Sequence, residues 1–156
     1  MADKQFHLSR ETTISASPER IHALLDDFRE WKAWSPWEGL DANLQRTYDG
    51  PASGVGAVYA WKGNSKAGEG RMELLESQPH HVGVDLLFSA PMKAHNRVDF
   101  TLTPGQDGGA THVAWVMTGP QNFVMRLMSK VYSLEKMLGP DLERGLAQLK
   151  TVAESA

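Results

Sequence analysis

The sequence contains no cysteine in its 156 residues. Disulfides, thiolate metal sites and cysteine nucleophiles are therefore excluded. It also lacks a basic run, and a formal net charge of −3 argues against a nucleic-acid partner. No apolar stretch approaches the ~20 residues that a membrane-spanning helix needs. Because the first residues are also polar, we expect no stable membrane insertion and a cytoplasmic location.

Catalytic and metal-binding motifs are scarce as well. The chain has no G-x-S-x-G, H-E-x-x-H or Walker-type sequence. The one adjacent histidine pair, His80-His81, follows Pro79 in a predicted turn and has no third ligand at metal-site spacing. The glycine-containing stretches at 54–56 and 68–70 are typical of strand starts after turns. The sequence therefore predicts neither a metal nor a cofactor.

A short helix is predicted from residue 18. Ser17 is a favourable N-cap, Pro18 suits the first helical position and Glu19 complements the positive end of the helix dipole. An apolar stripe with helical spacing follows at Ile21, Leu24, Leu25 and Phe28. Pro36 disfavours helical geometry at the residue before it, so we expect any helix to end near Trp34.

The hydrophobic period then changes to two. An initial strand at 6–16 and six later ones are predicted, the six being Leu44–Tyr48, Val55–Trp61, Gly70–Glu76, Val82–Phe88, Ala94–Leu102 and Thr111–Met117. Their separators are short and rich in turn residues, which favours sequential antiparallel neighbours. Alternation gives the last three strands one apolar face, formed by Val82, Val84, Leu86, Phe88, Val98, Phe100, Leu102, Val113, Trp115 and Met117.

A long C-terminal helix could cover that face. Apolar residues and one glycine recur every three or four positions at Val124, Leu127, Val131, Leu134, Leu138, Leu142, Gly145, Leu149 and Val152. Gly139-Pro140 interrupts the sequence but not the helical phase, so we predict one helix with a bend there.

Several stretches resemble the helix-grip superfamily of START-like proteins, often grouped as SRPBCC, and within it the bacterial polyketide cyclase/dehydrase-like branch. They are "FREWKAWSPWEGLD", "GEGRMELLESQP", "LFSAPMKAHNRVDFTLTP", "GGATHVAWVMTGP" and "GPDLERGLAQLK". The resemblance covers nearly the whole chain. It implies an α+β helix-grip fold, in which a seven-stranded antiparallel sheet curls around a long C-terminal helix with an apolar cavity between them. Residues 1–156 would form a single START-like domain.

The first of these stretches holds three of the five tryptophans, Trp31, Trp34 and Trp37. In proteins that resemble this one, the aromatic segment borders the cavity and its entrance. The alternative is that the rings close one end of the core, and both interpretations could hold for different rings.

Further cavity residues are predicted from the same strand and helix faces. Tyr59 and Trp61 share a face with Val55 and Ala57. The remaining predicted lining comprises Met72, Leu86, Phe88, Trp115, Met117, Leu138 and Gly145. The methionines Met72, Met92, Met117, Met125, Met128 and Met137 are flexible fillers that could adapt to varied guests.

Two polar or small residues on apolar faces leave alternatives open. Asn96 is either a strand-end hydrogen-bond partner or a polar anchor for a ligand. Gly145 reflects either close packing of the helix or space kept open for a guest, and we expect the second.

Three functions are compatible with these features. The first is binding of a small hydrophobic or amphipathic molecule. The second is a polyketide cyclase/dehydrase-like enzyme acting on an aromatic or polyketide-type substrate in the same cavity. Asn96, Tyr59 and Arg97 are the polar residues to test for such a role, although their spacing does not require it. The third is an interaction module without a ligand, which a filled core would indicate.

Overall fold

The computed structural model describes residues 5–38, 41–65, 67–90, 93–106, 109–120 and 134–155. Within these ranges the strands are β1 (Gln5–Ile14), β2 (Gln45–Asp49), β3 (Val58–Lys62), β4 (Glu69–Gln78), β5 (His81–Ala90), β6 (Ala94–Pro104) and β7 (Thr111–Pro120). The helices are α1 (Pro18–Leu25) and α2 (Leu134–Glu154), and a 3₁₀ turn occupies Glu30–Ala33. None of the helices so described is both long and apolar enough to cross a bilayer.

The strands form one antiparallel sheet in the order β1-β7-β6-β5-β4-β3-β2. This arrangement confirms the predicted meander, and β1 extends it at the β7 edge. A bulge between Leu74 and Glu76 in β4 shifts the register against β5, and such bulges increase local twist. The side chains predicted to face inward on β5, β6 and β7 are buried, apart from the half-buried Phe88 at the end of β5.

Helix α1 begins as the sequence predicts and ends early. The Ser17 hydroxyl accepts a hydrogen bond from the backbone N–H of Arg20 at 3.2 Å, which satisfies one of the free donors of the first turn. The helix stops at Leu25 and does not continue to Trp34. The carboxylate of Asp27 accepts the backbone N–H of Arg29 at 2.9 Å, and such a local bond competes with helical hydrogen bonding.

Within its described range, helix α2 runs without interruption through Gly139-Pro140, as predicted. The bend expected there stays a prediction. It contacts β1, α1 and the 3₁₀ turn, and its buried side chains are Leu142, Leu146, Leu149 and Ala153. The earlier part of the predicted helix, residues 121–133 with Val124, Leu127 and Val131, lies outside the described residues. The same holds for Met92, Met125 and Met128, and for the side chains of Leu134 and Met137.

Strand β3 begins at Val58, three residues later than predicted. Gly54 and Gly56 have φ values of +80° and +97°, a left-handed conformation that glycine adopts without steric penalty. The turn they create leaves Val55 61% exposed. The prediction that Val55 shares the inner face with Tyr59 is therefore wrong, whereas Ala57 is buried.

Candidate ligand-binding cavity

A cavity lies between the inner face of the sheet and the segment that carries Trp31 and Trp37. Its buried floor is formed by Trp31, Tyr59, Met72, Leu86, Val98, Trp115 and Met117. Its half-buried rim is formed by Ser35, Trp37, Glu38, Leu44, Trp61, Ala67 and Phe88. The cavity volume is about 70 Å³, less than the ~150 Å³ of an engineered core cavity that holds benzene. A ring-sized guest therefore requires side chains to move, and the unbranched Met72 and Met117 are suited to that.

The structure brings most of the predicted site residues together around this space. They are Trp31, Trp37, Tyr59, Trp61, Met72, Leu86, Phe88, Trp115 and Met117. Four other predicted residues, Trp34, Asn96, Leu138 and Gly145, are not part of the lining.

The tryptophans of the aromatic segment divide between the two interpretations. Trp31 and Trp37 border the cavity. Trp34 is fully buried, lies 4.6 Å from Trp31 between ring centroids, and donates its indole N–H to the carbonyl of Leu24 at 3.0 Å. It closes the core beside the cavity.

The expectation that Gly145 keeps space open for a guest is wrong. A Cβ atom at this position would lie 2.7 Å from Cζ3 of Trp115 and 2.9 Å from Cδ of Pro36. The glycine instead allows close packing of α2, so the other alternative holds.

Asn96 and Leu138 lie near the core without lining the cavity. Asn96 is 7% exposed and pairs across the sheet with Leu86. No hydrogen bond joins its side-chain amide to another group in the described part of the chain. Leu138 is half-buried and packs against the core from α2.

The rim has one polar side, which sequence reasoning did not single out. Glu38 follows Trp37 directly, and its carboxylate accepts from Nε of Arg46 at 3.4 Å and also from Nη2. This partnership raises the pKa of the Arg46 guanidinium above its usual value. Since the pair is formed within the wall, the carboxylate beside the cavity is already neutralised.

Two tyrosines adjoin this ion pair. Burial of the Tyr59 phenol, followed by the neighbouring Glu38 charge, raises the pKa of Tyr59 to about 12. Tyr59 is therefore a hydrogen-bond donor at neutral pH and not a base. Its ring lies 5.3 Å from that of Tyr48, whose buried hydroxyl has no hydrogen-bond partner among the described residues.

Sequence comparison identifies the group of proteins with this architecture. The family model described as "Polyketide cyclase / dehydrase and lipid transport" matches residues 5–154. The chain belongs to this family. The family match confirms the resemblance drawn from the five sequence stretches. No curated protein matches the chain at a significant level.

Solved structures share the fold of this polyketide cyclase / dehydrase family member. Norcoclaurine synthase from Thalictrum flavum, in complex with dopamine and hydroxybenzaldehyde, has a TM-score of 0.72 and 10% identity, covering 99% of this chain and 90% of that one. Protein MLL2253 from Mesorhizobium loti has a TM-score of 0.65 and 20% identity, covering 96% and 100%. The di-domain ARO/CYC BexL has a TM-score of 0.69 and 12% identity, covering 97% and 51%. These likenesses show the fold alone.

The outer face of the sheet carries charges that do not reach the cavity. Arg97, one of the candidate polar groups for an enzyme of this family, donates to Asp99 at 3.1 Å and to Glu76 at 3.2 Å. His81 contacts the same two carboxylates, at 2.6 Å and 2.8 Å. Arg97 therefore lies on the outer face of the sheet and is not part of the cavity lining. Within the described ranges, no group of three or more His, Asp or Glu side chains is arranged so that it could hold a metal ion.

Proposed function

We propose that this protein binds a small hydrophobic or amphipathic molecule in the cavity between the sheet and the Trp31–Trp37 segment. The observation that carries the proposal is an apolar cavity whose rim is half-buried aromatic surface at Trp37, Trp61 and Phe88. Concave apolar sites with few polar groups are typical of small-molecule binding. The family description, which includes lipid transport, supports the same class of function.

The volume of about 70 Å³ limits the affinity of a rigid site. Burial of ~200 Å² of apolar ligand surface contributes on the order of 5 kcal/mol, and association and side-chain ordering take back several of these. A one-ring molecule is therefore expected to bind weakly, with a Kd in the millimolar range or above. The half-buried rim distinguishes this arrangement from a closed core, since it gives the guest a way in.

Calorimetric titration with ethylbenzene tests the proposal. Leu86 lines the cavity, whereas its neighbour Leu87 faces outward and is 40% exposed. We expect Leu86→Trp to fill the free space and weaken ethylbenzene binding at least tenfold, and the matched Leu87→Trp to leave the affinity unchanged. Far-UV circular dichroism checks that both variants fold. Absence of binding to the wild type, or equal binding by Leu86→Trp, would contradict the proposal.

A cyclase-type enzyme using the same cavity is the second candidate. The Tyr59 phenol favours it, because this donor lines the cavity and stays protonated at neutral pH. Such a group can donate a hydrogen bond to a substrate carbonyl. Native mass spectrometry of the purified protein distinguishes the two candidates. A co-purifying molecule is released, incubated with fresh protein and its mass measured again. A binding protein leaves the mass unchanged, whereas an enzyme converts the molecule to a product of different mass or structure.

A further inference from the structure

Three of the five indole N–H groups of this protein donate to backbone carbonyls. Trp31 donates to Leu25 at 2.9 Å, Trp34 to Leu24 at 3.0 Å and Trp61 to Ala67 at 3.0 Å. Trp115 is different: its Nε1 is buried and has no hydrogen-bond partner among the described residues. Most buried polar groups in proteins are paired, because an unpaired group loses its hydrogen bonds to water without replacement.

The orientation of the Trp115 ring places this nitrogen away from helix α2. The Cζ3 end of the indole faces Gly145, and the nitrogen is at the opposite end of the ring system. Phe100 and Trp34 pack against the ring at centroid distances of 5.0 Å and 5.7 Å. Because these neighbours hold the indole in place, its N–H has no freedom to turn toward a backbone carbonyl.

Trp115 is also a floor residue of the cavity. Resting on the proposed function, we infer that the ligand carries a neutral hydrogen-bond-accepting oxygen, such as a ketone or ether, and that this oxygen accepts the N–H of Trp115. The indole nitrogen is a donor only, so it selects an acceptor over an ammonium group.

The charges of the lining exclude an anionic acceptor. Glu38 is the one charged residue among the described lining residues, and as an acceptor it offers a ligand carboxylate no hydrogen bond. Arg46, the nearby cation, is already paired with Glu38. A buried ligand charge would therefore lack a partner, and an unpaired buried charge is costly.

Indole ¹H–¹⁵N NMR of the intact protein tests this inference with two matched probes. Ethylbenzene and acetophenone share a phenyl and a methyl group. A methylene joins the two groups in ethylbenzene, and a carbonyl joins them in acetophenone. We expect acetophenone to move the Trp115 indole proton downfield, as hydrogen bonding does, and ethylbenzene to leave it without such a shift. The indole protons of Trp31, Trp34 and Trp61 already have partners and should respond alike to both probes. Absence of the selective shift at saturation would overturn the inference.

Two variants add an affinity readout. The acetophenone-to-ethylbenzene affinity ratio should fall by about five- to tenfold in Trp115→Phe, the loss of one hydrogen bond, while general hydrophobic and cavity effects cancel in the ratio. In Trp31→Phe, which changes a lining indole whose N–H is bound to Leu25, the ratio should stay constant.

Equal ratios in wild type and Trp115→Phe would overturn the inference but leave the proposed function standing. Failure of both probes to bind the wild type would contradict the proposed function itself. Should Trp115→Phe not fold, the NMR comparison on the wild type decides alone.

Discussion

At Gly145, helix α2 leaves no room for a side chain. Trp115 of β7 and Pro36 of the aromatic segment both lie within 3.0 Å of the position that a Cβ atom would take. The Trp115 ring is 1% exposed and packed on several sides, so it cannot move aside cheaply. The glycine thereby fixes one end of the indole whose other end carries the unpaired N–H.

Gly145→Ala is expected to lower the free energy of unfolding by about 1–2 kcal/mol. Alanine gains about 0.5–1 kcal/mol of helix propensity over glycine, but overpacking of a full core costs about 1–3 kcal/mol, and here the added atom meets a rigid ring. Urea denaturation measures the change. The exposed Ala147 on the same helix provides the control, since Ala147→Gly reports the propensity difference alone. Stabilisation by Gly145→Ala would contradict close packing at this position.

Part of the site follows from residue patterns and part does not. Period-two alternation places Leu86, Trp115 and Met117 on the inner face, because side chains of a strand alternate between its two sides. The helical phase shows equally well that Gly145 is buried. It cannot show what the glycine faces, because Pro36 and Trp115 come from distant parts of the chain. Glu38 was missed for a similar reason: its role depends on Arg46 across the rim.

Among the elements, the C-terminal end of α2 is held by a residue of α1. Nε of Arg20 donates to the carbonyl of Ala153 at 3.1 Å, and Nη2 donates to those of Val152 and Ser155, each at 3.1 Å. The last carbonyls of a helix lack partners within it, and a positive charge there also opposes the negative end of the helix dipole. One guanidinium thus joins the two helices.

Arg20→Met is expected to destabilise the protein by about 1–2 kcal/mol, because it retains the aliphatic stem but removes these hydrogen bonds. Thermal unfolding followed by circular dichroism measures the effect. Lys62→Met, which removes a positive charge from the exposed end of β3, is the control and should change stability by less than about 0.5 kcal/mol. Equal effects of the two substitutions would show that net charge, not the helix-end contact, is responsible.

Element boundaries illustrate what local patterns leave undetermined. The start of α1 was predictable because Ser17, Pro18 and Glu19 act within one turn. Its end was not, since the apolar stripe continues to Phe28 while the Asp27 carboxylate bonds to the backbone of Arg29 and ends the helical pattern. The late start of β3 has a comparable origin in the glycine turn around Val55.

In the whole molecule, one aromatic cluster joins the described layers. Trp31 and Trp34 from the 3₁₀ region contact Phe100 of β6 at 5.8 Å and 5.9 Å between ring centroids. Trp34 also contacts Trp115 of β7 at 5.7 Å, and Trp115 meets α2 at Gly145. Loss of any one layer would expose rings that the other layers bury.

We therefore expect the chain to unfold as one cooperative unit, in keeping with the prediction of a single domain over 1–156. Tryptophan fluorescence reports on the aromatic cluster, and far-UV circular dichroism reports on the sheet and helices. Their urea transitions should coincide, as they do for two-state domains of about this size. Trp34→Phe should lower both midpoints by the same amount, because the ring it truncates lies between the layers. A fluorescence transition that precedes the circular dichroism transition, in the wild type or in Trp34→Phe, would show that the cluster melts separately and that the layers are not energetically coupled through it.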